Sequence, residues 1–550
     1  MSKLSKAANV ITEEKALKLD ETVKNFMGGD SYKVNPLLTM KMVTSSSIFG
    51  EAAYYRGSSL SKKYEINDLV KEDSILPESI VDASTTEDVM IKVINNALDY
   101  DFAATLEWAV ELRNKYLIRL NPQIIMVLAA KHPGRKKYTE ENPGSFGDIM
   151  MKVMKRADEP LTQMAYYIYQ YKGKNGMPSI LKRAYAKKLS YLSEFMLNKY
   201  KNAEIGMING IRICHATSTA ISKLCKGNLE MTGNDLTWET MRSAGKSWRE
   251  IIETINLGHM AALRNLRGIF TEIDDRDFCV KFLEGLKVGI PTGKQLPFRY
   301  YSAWKAINDS EVYNKQLILD TLEECIDIAM CNYPKLKGKT VCLSDNSGSA
   351  WETYTSEFGT VTVGVIDNLS AVLTAACSDE GTVVKFGDTT KTFNISKRNG
   401  MLYQANLISE KRDDDVGGWT EGGIWEFFRD AINNKVYYDN IFIYSDQQAG
   451  HGGLYGTSDH EEEYEALGYG YAYDSYNSCC INVFKLIKEY RKQVNPQVNV
   501  FSIQTAGYDN TLLPEYAYRT NILYGWTGRE AEFAATMIKL WDEVDASNTK

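Results

Sequence analysis

Histidine is scarce in this chain, with five in 550 residues, and no His-Glu-x-x-His pair occurs, which removes the common zinc-hydrolase pattern. Gly-x-Ser-x-Gly is also missing, so a hydrolase nucleophile elbow has no counterpart. The nine cysteines fall at 214, 225, 279, 325, 331, 342, 377, 479 and 480 with no Cys-x-x-Cys spacing. This argues against zinc or dithiol chemistry and for reduced thiols in a cytoplasmic protein. No run of about 18 apolar residues exists, so no membrane-spanning helix is expected. The opening Met1-Ser-Lys-Leu-Ser-Lys-Ala-Ala has no apolar core of signal-peptide length, and secretion is not expected.

What is present is ordinary globular material: 44% apolar and 25% charged residues. The chain is too long for one core, so two or more domains follow. The net charge of −7 conceals a division. Residues 338–550 carry 17 Lys and Arg against 30 Asp and Glu, leaving 47 against 41 for residues 1–337. A mildly basic part beside an acidic one suits a polyanion on the first and a cation or basic partner on the second.

From Thr86 to about Cys331 the pattern is helical, with amphipathic runs over 87–99, 102–118, 121–131, 160–172, 178–201, 246–256, 257–270, 272–285 and 311–331. Short Gly, Pro, Asn and Asp turns join them, which implies antiparallel helices stacked as an α-solenoid without a strict repeat period. On 178–201, Leu181, Tyr185, Leu189, Leu192 and Met196 form one apolar stripe. Arg183 and Lys187 then face solvent, flanked by Lys182 and Lys188, a row of cations that could follow a phosphate backbone or simply be solvated. Further cations cluster at Lys131, Arg135, Lys136 and Lys137, at Lys246 and Arg249, and at Arg264 and Arg267. His215, in Arg212-Ile-Cys-His215, suits a phosphate contact or a place in the core.

Beyond Asn332 and Pro334, strands and helices alternate: strand 340–344, helix 366–377, strands 382–386 and 391–396, helix 423–433, strand 440–445, helix 479–493, strand 498–503 and helix 528–542. Such alternation predicts a doubly wound, mostly parallel sheet. The apolar strand Val341-Cys342-Leu343 ends on Asp345-x-Ser347-x-Ser349, an oxygen-rich turn of the kind a hard divalent ion accepts. Two other strand ends supply comparable oxygens: Thr420 in a glycine-rich loop, and Asp446 closing the strand Asn440-Ile-Phe-Ile-Tyr-Ser. The alternative is a Rossmann-like domain with ordinary Ser and Asp turns. A Gly-, Tyr- and acid-rich loop over 447–478 and the acids 413–415 would border the site.

These three segments, in this order, resemble the metal-ion-dependent adhesion site of von Willebrand factor A domains. The resemblance implies that Ser347, Ser349 and Thr420 ligate the ion and that Asp345 and Asp446 hold it through water. Mg²⁺ is the expected ion, with Mn²⁺ or Ca²⁺ possible. Ahead of them, Asn25-Phe-Met-Gly-Gly-Asp-Ser-Tyr32, Ile48-Phe-Gly-Glu-Ala-Ala-Tyr-Tyr55, Gly176-Met-Pro-Ser-Ile-Leu-Lys-Arg, Leu257-Gly-His-Met-Ala-Ala-Leu-Arg-Asn-Leu and Leu296-Pro-Phe-Arg-Tyr-Tyr are similar to segments of the TROVE module of the Ro 60 kDa autoantigen family. That family implies a lead-in over 1–24, a HEAT-like helical-repeat ring over 25–335 that binds RNA, and a von Willebrand A domain with a divalent-cation site over 336–550. It further implies a monomeric, non-catalytic ribonucleoprotein component. Small noncoding, Y-like RNA would lie on the outer ring face and single-stranded ends of misfolded RNA in the hole, in RNA quality control or stability. The alternative is an adaptor whose ion captures a protein partner's carboxylate, with the helices as scaffold. The first turn departs from the family at Asn346 and Ala350, where relatives often carry a small apolar residue and Met.

Overall fold

The computed structural model describes residues 22–24, 30–46 and 86–548, apart from 202–204, 230–235, 353–360, 411–415, 450–480 and ten isolated positions (174, 294, 332, 419, 509, 510, 516, 526, 527 and 529). The family-like stretches at 25–29 and 48–55, the acids 413–415 and nearly all of the 447–478 loop therefore lie outside the described residues. Packing divides the rest into two units: residues 86–257, and residues 22–46 with 258–548.

The first unit is helical throughout its described residues. Helices Thr86–Tyr100, Phe102–Asn114 and Asn121–Lys131 form where the apolar spacing predicts them. Asn121–Lys131 is the anchor. Pro122 opens it, and every residue from Asn121 to Ala130 is buried against Phe102–Asn114 and Glu159–Gln170. Five aliphatic or thioether side chains in a row, Ile124 to Leu128, contribute about 1.5–3 kcal/mol each on burial. Next come α1 (Gly134–Glu141) and α2 (Ser145–Val153). The run predicted as one helix over 178–201 is two: α3 (Ser179–Ser190) and α4 (Glu194–Lys199). The chain breaks at Tyr191 to Ser193 because the Ser193 hydroxyl accepts the Met196 amide at 3.3 Å and starts a new helix. Leu181, Tyr185 and Leu189 are buried as the stripe requires, but the break changes the phase, so Leu197 is buried and Met196 is exposed.

The second unit is built on a six-stranded sheet. The sheet and the main helices that follow Leu336 are, in chain order, β1 (Leu336–Asp345), α5 (Val363–Ala376), β2 (Ser378–Phe386), β3 (Thr390–Asn394), α6 (Met401–Ser409), α7 (Glu421–Asn433), β4 (Asn440–Ser445), α8 (Val483–Gln493), β5 (Asn499–Gln504), β6 (Thr520–Tyr524) and α9 (Glu530–Asn548). The strand order is β3-β2-β1-β4-β5-β6, parallel except for β2 with β3. Helices cover both faces, which is why the central strands are apolar without alternation. Val341 and Leu343 pack on Ile424, Phe428 and Leu486 of α7 and α8. On the α5 side, Ser344 and Tyr444 hydrogen-bond Asn368 and Thr374 at 2.7 and 2.6 Å. This is the expected α/β architecture; α6 and β6 are additions to the sequence reading.

Two of the family-like stretches meet in this unit. Helix His259–Glu272 packs on helix Pro297–Asn308, with His259 Nε2 3.0 Å from the Tyr300 hydroxyl. Gly293 passes so close to His259 that a Cβ there would stand 2.3 Å from its ring. The N-terminal segment joins here too. Tyr32 and Thr511 exchange backbone hydrogen bonds of 2.8 and 3.1 Å, and helix Pro36–Ser46 lies against β6. Among the described residues, seven cysteines are free thiols and no helix is long and apolar enough to cross a membrane.

Candidate metal centre and nucleic-acid interface

Strands β1 and β4 are neighbours, yet β1 leads through α5 to β2 on its other side. The sheet therefore changes direction between them, and a crevice opens at their carboxyl ends, where doubly wound folds place ligands. Asp345 ends β1 and Asp446 follows β4 directly. The register pairs Ser344 with Tyr444, so Asp345 stands opposite Ser445, one residue short of Asp446, at the rim.

The turn after β1 is held from all sides. Asp345 Oδ1 accepts the Ser347 amide at 2.9 Å, and its Oδ2 accepts the Ser445 hydroxyl at 2.6 Å. The Ser347 and Ser349 hydroxyls are 3.1 Å apart. Asn346 lies in a buried amide pair with Asn368 of α5, donating at 2.9 Å and accepting at 3.0 Å. That pair gives the departure from the family at Asn346 its physical reason: the side chain clamps the turn to α5.

The Thr420 loop reaches the same point through close backbone contact. Gly348 N donates to Gly418 O at 2.9 Å, and Gly423 N to Gly387 O at 2.8 Å. Gly417 has φ +84°, a left-handed conformation that glycine adopts freely. A Cβ at Gly422 would stand 2.3 Å from Asp388 O. Thr420 is the N-cap residue of α7, but its hydroxyl makes no capping bond, so it is not committed to its own helix. Glu421 follows, buried at the start of α7.

All five residues expected to hold the ion are buried, with Asp345 and Asp446 fully so. Contacts link four of them in a chain, Asp345 to Ser347, Ser347 to Ser349 and Ser349 to Asp446, and the loop that carries Thr420 is tied to the same turn through Gly348 and Gly418. Asp446 Oδ1 accepts the Gln448 amide at 3.0 Å, while its Oδ2 has no protein partner. Burial and then the Asp345 charge push Asp446 up to about 7, offset in part by the Ser349 hydroxyl and the Gln448 amide. Burial also raises Asp345, against the hydrogen bonds from Ser445 and Ser347. Carboxylates this deep stay charged only beside a compensating cation. Among the described residues no three His, Cys, Asp or Glu side chains gather closely enough to hold an ion by themselves. A cation here would depend on the hydroxyls as well as the acids, and hard oxygen donors of this kind fit Mg²⁺ or Mn²⁺.

Sequence reasoning missed Asp367. It lies on α5, is fully buried, and neither carboxylate oxygen has a hydrogen-bond partner. Its signal was legible: an Asp-Asn pair inside Val-Gly-Val-Ile-Asp-Asn-Leu-Ser-Ala-Val-Leu-Thr-Ala-Ala, a mainly apolar helix with no other charged residue.

The predicted RNA contacts are more dispersed. Three of them, Arg135, Arg183 and Lys187, line one groove of about 670 Å³ between α1, α2 and α3. The starts of α2 and α3 also line it, and neither is capped by a side chain. Helix N-termini favour anions through their amides and dipole. Arg135 Nε is buried and makes no hydrogen bond, and Asp148 is a carboxylate on the wall. Lys182 and Lys188 flank this group on α3, the latter donating to Lys155 O at 3.2 Å. Lys131 lies over the Tyr171 ring, 5.2 Å from its centre. Lys136 and Lys137 are exposed on α1. His215 is exposed in a left-handed C-cap, with φ 58°, and is not a core residue. Lys246 pairs with Glu250 at 2.8 Å inside a capping box, beside Arg249 in the first turn of helix Trp248–Thr254. Arg264 and Arg267 are exposed on helix His259–Glu272 in the other unit.

No family model matches the chain, and no curated protein matches its sequence. Its fold does have a counterpart among solved structures. The crystal structure of the Ro (RSR) protein of Deinococcus radiodurans aligns with a TM-score of 0.54 at 11% sequence identity, covering 91% of this chain and 98% of that one. The chain has the Ro fold: helical repeats followed by an α/β domain, as the sequence resemblance implied.

Proposed function

We propose that this chain is an RNA-binding protein of Ro type that acts by binding rather than by catalysis, with a divalent cation at the switch point of its α/β unit. The observation that carries the RNA reading is the groove between α1, α2 and α3. It combines three cationic side chains from two helices with two uncapped helix starts and is large enough for a nucleotide. The family resemblance supplies the ligand classes: small noncoding RNA and single-stranded ends of misfolded RNA, in RNA quality control or stability. The site chemistry favours binding over catalysis. Ser347 and Ser349 are within hydrogen-bonding distance of each other, and Asp345 accepts from Ser445 and a backbone amide rather than from an imidazole. Ser347, Ser349 and Thr420 would hold the cation, which supplies positive charge to a buried acidic site, and Asp345 and Asp446 would hold its water.

The test is the salt dependence of binding to a single-stranded oligoribonucleotide and to a structured small RNA, for wild type and Arg183→Glu/Lys187→Glu. Phosphate contacts make log K fall linearly with log salt, by about 0.7 per contact on a single strand. The double variant is expected to bind at least tenfold more weakly at low salt, with a slope shallower by about 1.4. Wild-type binding that is absent, or indifferent to salt, rules the reading out.

A further inference from the structure

Asp367 has no role in the site so far, and its position calls for one. A buried aspartate in the middle of an apolar helix is costly unless something compensates it. Here Asn368, the next residue, is fully engaged: it accepts from Ser344 at 2.7 Å and donates to Ser409 at 3.1 Å besides pairing with Asn346. Those bonds fix this turn of α5 over the end of β1. Asp367 is left with two unpartnered oxygens and no exposure. After burial, the charges that act on it most are Asp345 and Asp446. Beside it is Thr505, whose amide donates to Ser445 O at 3.2 Å just beyond β5. Its hydroxyl is buried and lacks a hydrogen-bonded partner of good geometry, although it lies near enough to ease the Asp367 charge. Unpartnered oxygens on Asp367, Thr505 and Asp446 thus gather near the ends of β1, β4 and β5, close enough for Thr505 and the Asp345 and Asp446 charges to act on Asp367.

We propose that Asp367, with Thr505, is a positioning group of the cation site, its carboxylate acting through the water shell of the ion held by Ser347, Ser349 and Thr420. This rests on the cation reading above and adds a third carboxylate to it. The indirect role follows from the packing, since no three acids gather closely enough to ligate an ion among themselves. Groups that orient a metal's ligands and waters typically change its affinity 10- to 100-fold. Three carboxylates around a divalent ion also leave the site negative, which opposes capture of a partner's carboxylate and separates this site from an adaptor's.

The experiment titrates the full chain with Mn²⁺ by calorimetry, for wild type, Asp367→Asn and Thr505→Val, and records thermal unfolding of each in chelator and in saturating Mn²⁺. Asp367→Asn keeps the shape and removes the charge. The expected result is at least a tenfold loss of Mn²⁺ affinity, with the variant as stable as wild type or more so in chelator but gaining less from Mn²⁺. A merely structural Asp367 would not produce that reversal. Saturable wild-type binding with an Asp367→Asn affinity within threefold overturns this inference and leaves the cation reading intact. Equal destabilisation of Asp367→Asn in chelator and in Mn²⁺ also overturns it. Absence of saturable wild-type binding overturns both. If Asp367→Asn does not fold, Thr505→Val decides: unchanged affinity overturns the proposal and a loss of threefold or more supports it.

Discussion

With its divalent ions chelated, the α/β unit should lose stability as pH rises from about 4 to about 7, the reverse of the trend that salt-bridged carboxylates impose. Burial and the Asp345 charge push Asp446 up to about 7 in the folded protein, against about 3.9 in an unfolded chain. Between those values the folded state binds a proton that the unfolded state releases, so unfolding becomes easier as pH rises. The linkage has a ceiling on the order of a few kcal/mol, complete above about pH 7 and absent below about pH 4. Burial also raises Asp345 and Asp367, so the sign does not depend on which carboxyl holds the proton. The assay is urea unfolding of the full chain in EDTA at half-unit steps from pH 5 to 8, with Asp446→Asn to isolate the group. The slope should be negative for wild type and much reduced for the variant. Saturating Mn²⁺ should reverse it, because a cation competes with protons for the same oxygens. A chelated wild type whose stability is flat or rising across pH 5 to 7, or an Asp446→Asn slope equal to it, refutes the reasoning.

Other perturbations separate the two units. Arg113 and Glu159 form a buried ion pair at 2.8 Å in the helical unit; Arg113→Met should cost about 3–5 kcal/mol by stranding the acid, and urea unfolding should show Arg113→Met/Glu159→Leu recovering most of it. Gly293→Ala places a methyl 2.3 Å from the His259 ring and should cost about 1–3 kcal/mol, with His259→Ala in the same chain relieving much of the loss in a thermal melt. Asn368→Leu removes bonds to Ser344, Asn346 and Ser409. It should cost roughly 2–5 kcal/mol and weaken Mn²⁺ binding, because the turn bearing Ser347 and Ser349 loses its clamp.

Where local chemistry decided the structure, the sequence was readable. Val341 to Leu343 and Ile441 to Tyr444 are apolar without alternation because both faces of the sheet are covered, and their terminal acids lie at one rim because adjacent parallel strands end within a residue of each other. What was missed was decided by distant residues. The start of α6 is satisfied by Glu323 of helix Lys315–Met330, which accepts the Leu402 and Tyr403 amides at 3.0 and 2.8 Å. No capping residue adjoins that helix in the chain, so its beginning carried no local mark. The break inside 178–201 had a local mark, Ser193 followed by Glu194, but an apolar stripe that holds for three turns outweighed it.

The two candidate sites differ in legibility for a physical reason. The candidate cation set comes from strand ends, where a parallel sheet brings separate segments together by its topology alone, so three short motifs point to one crevice. The groove depends on how three helices pack, and helix packing is fixed by ridges and side-chain volumes that a linear pattern records poorly. Of the thirteen basic or imidazole residues singled out, the groove gathers Arg135, Arg183 and Lys187, while Lys246 is held by its own helix cap. Asp367 lies between these cases. Nothing in a metal motif points to it, yet one acid in an apolar helix is a conflict between hydropathy and charge that needs resolution in space. In this fold the resolution faces the crevice that already holds Asp345 and Asp446, and such a conflict is a signal that a motif search does not register.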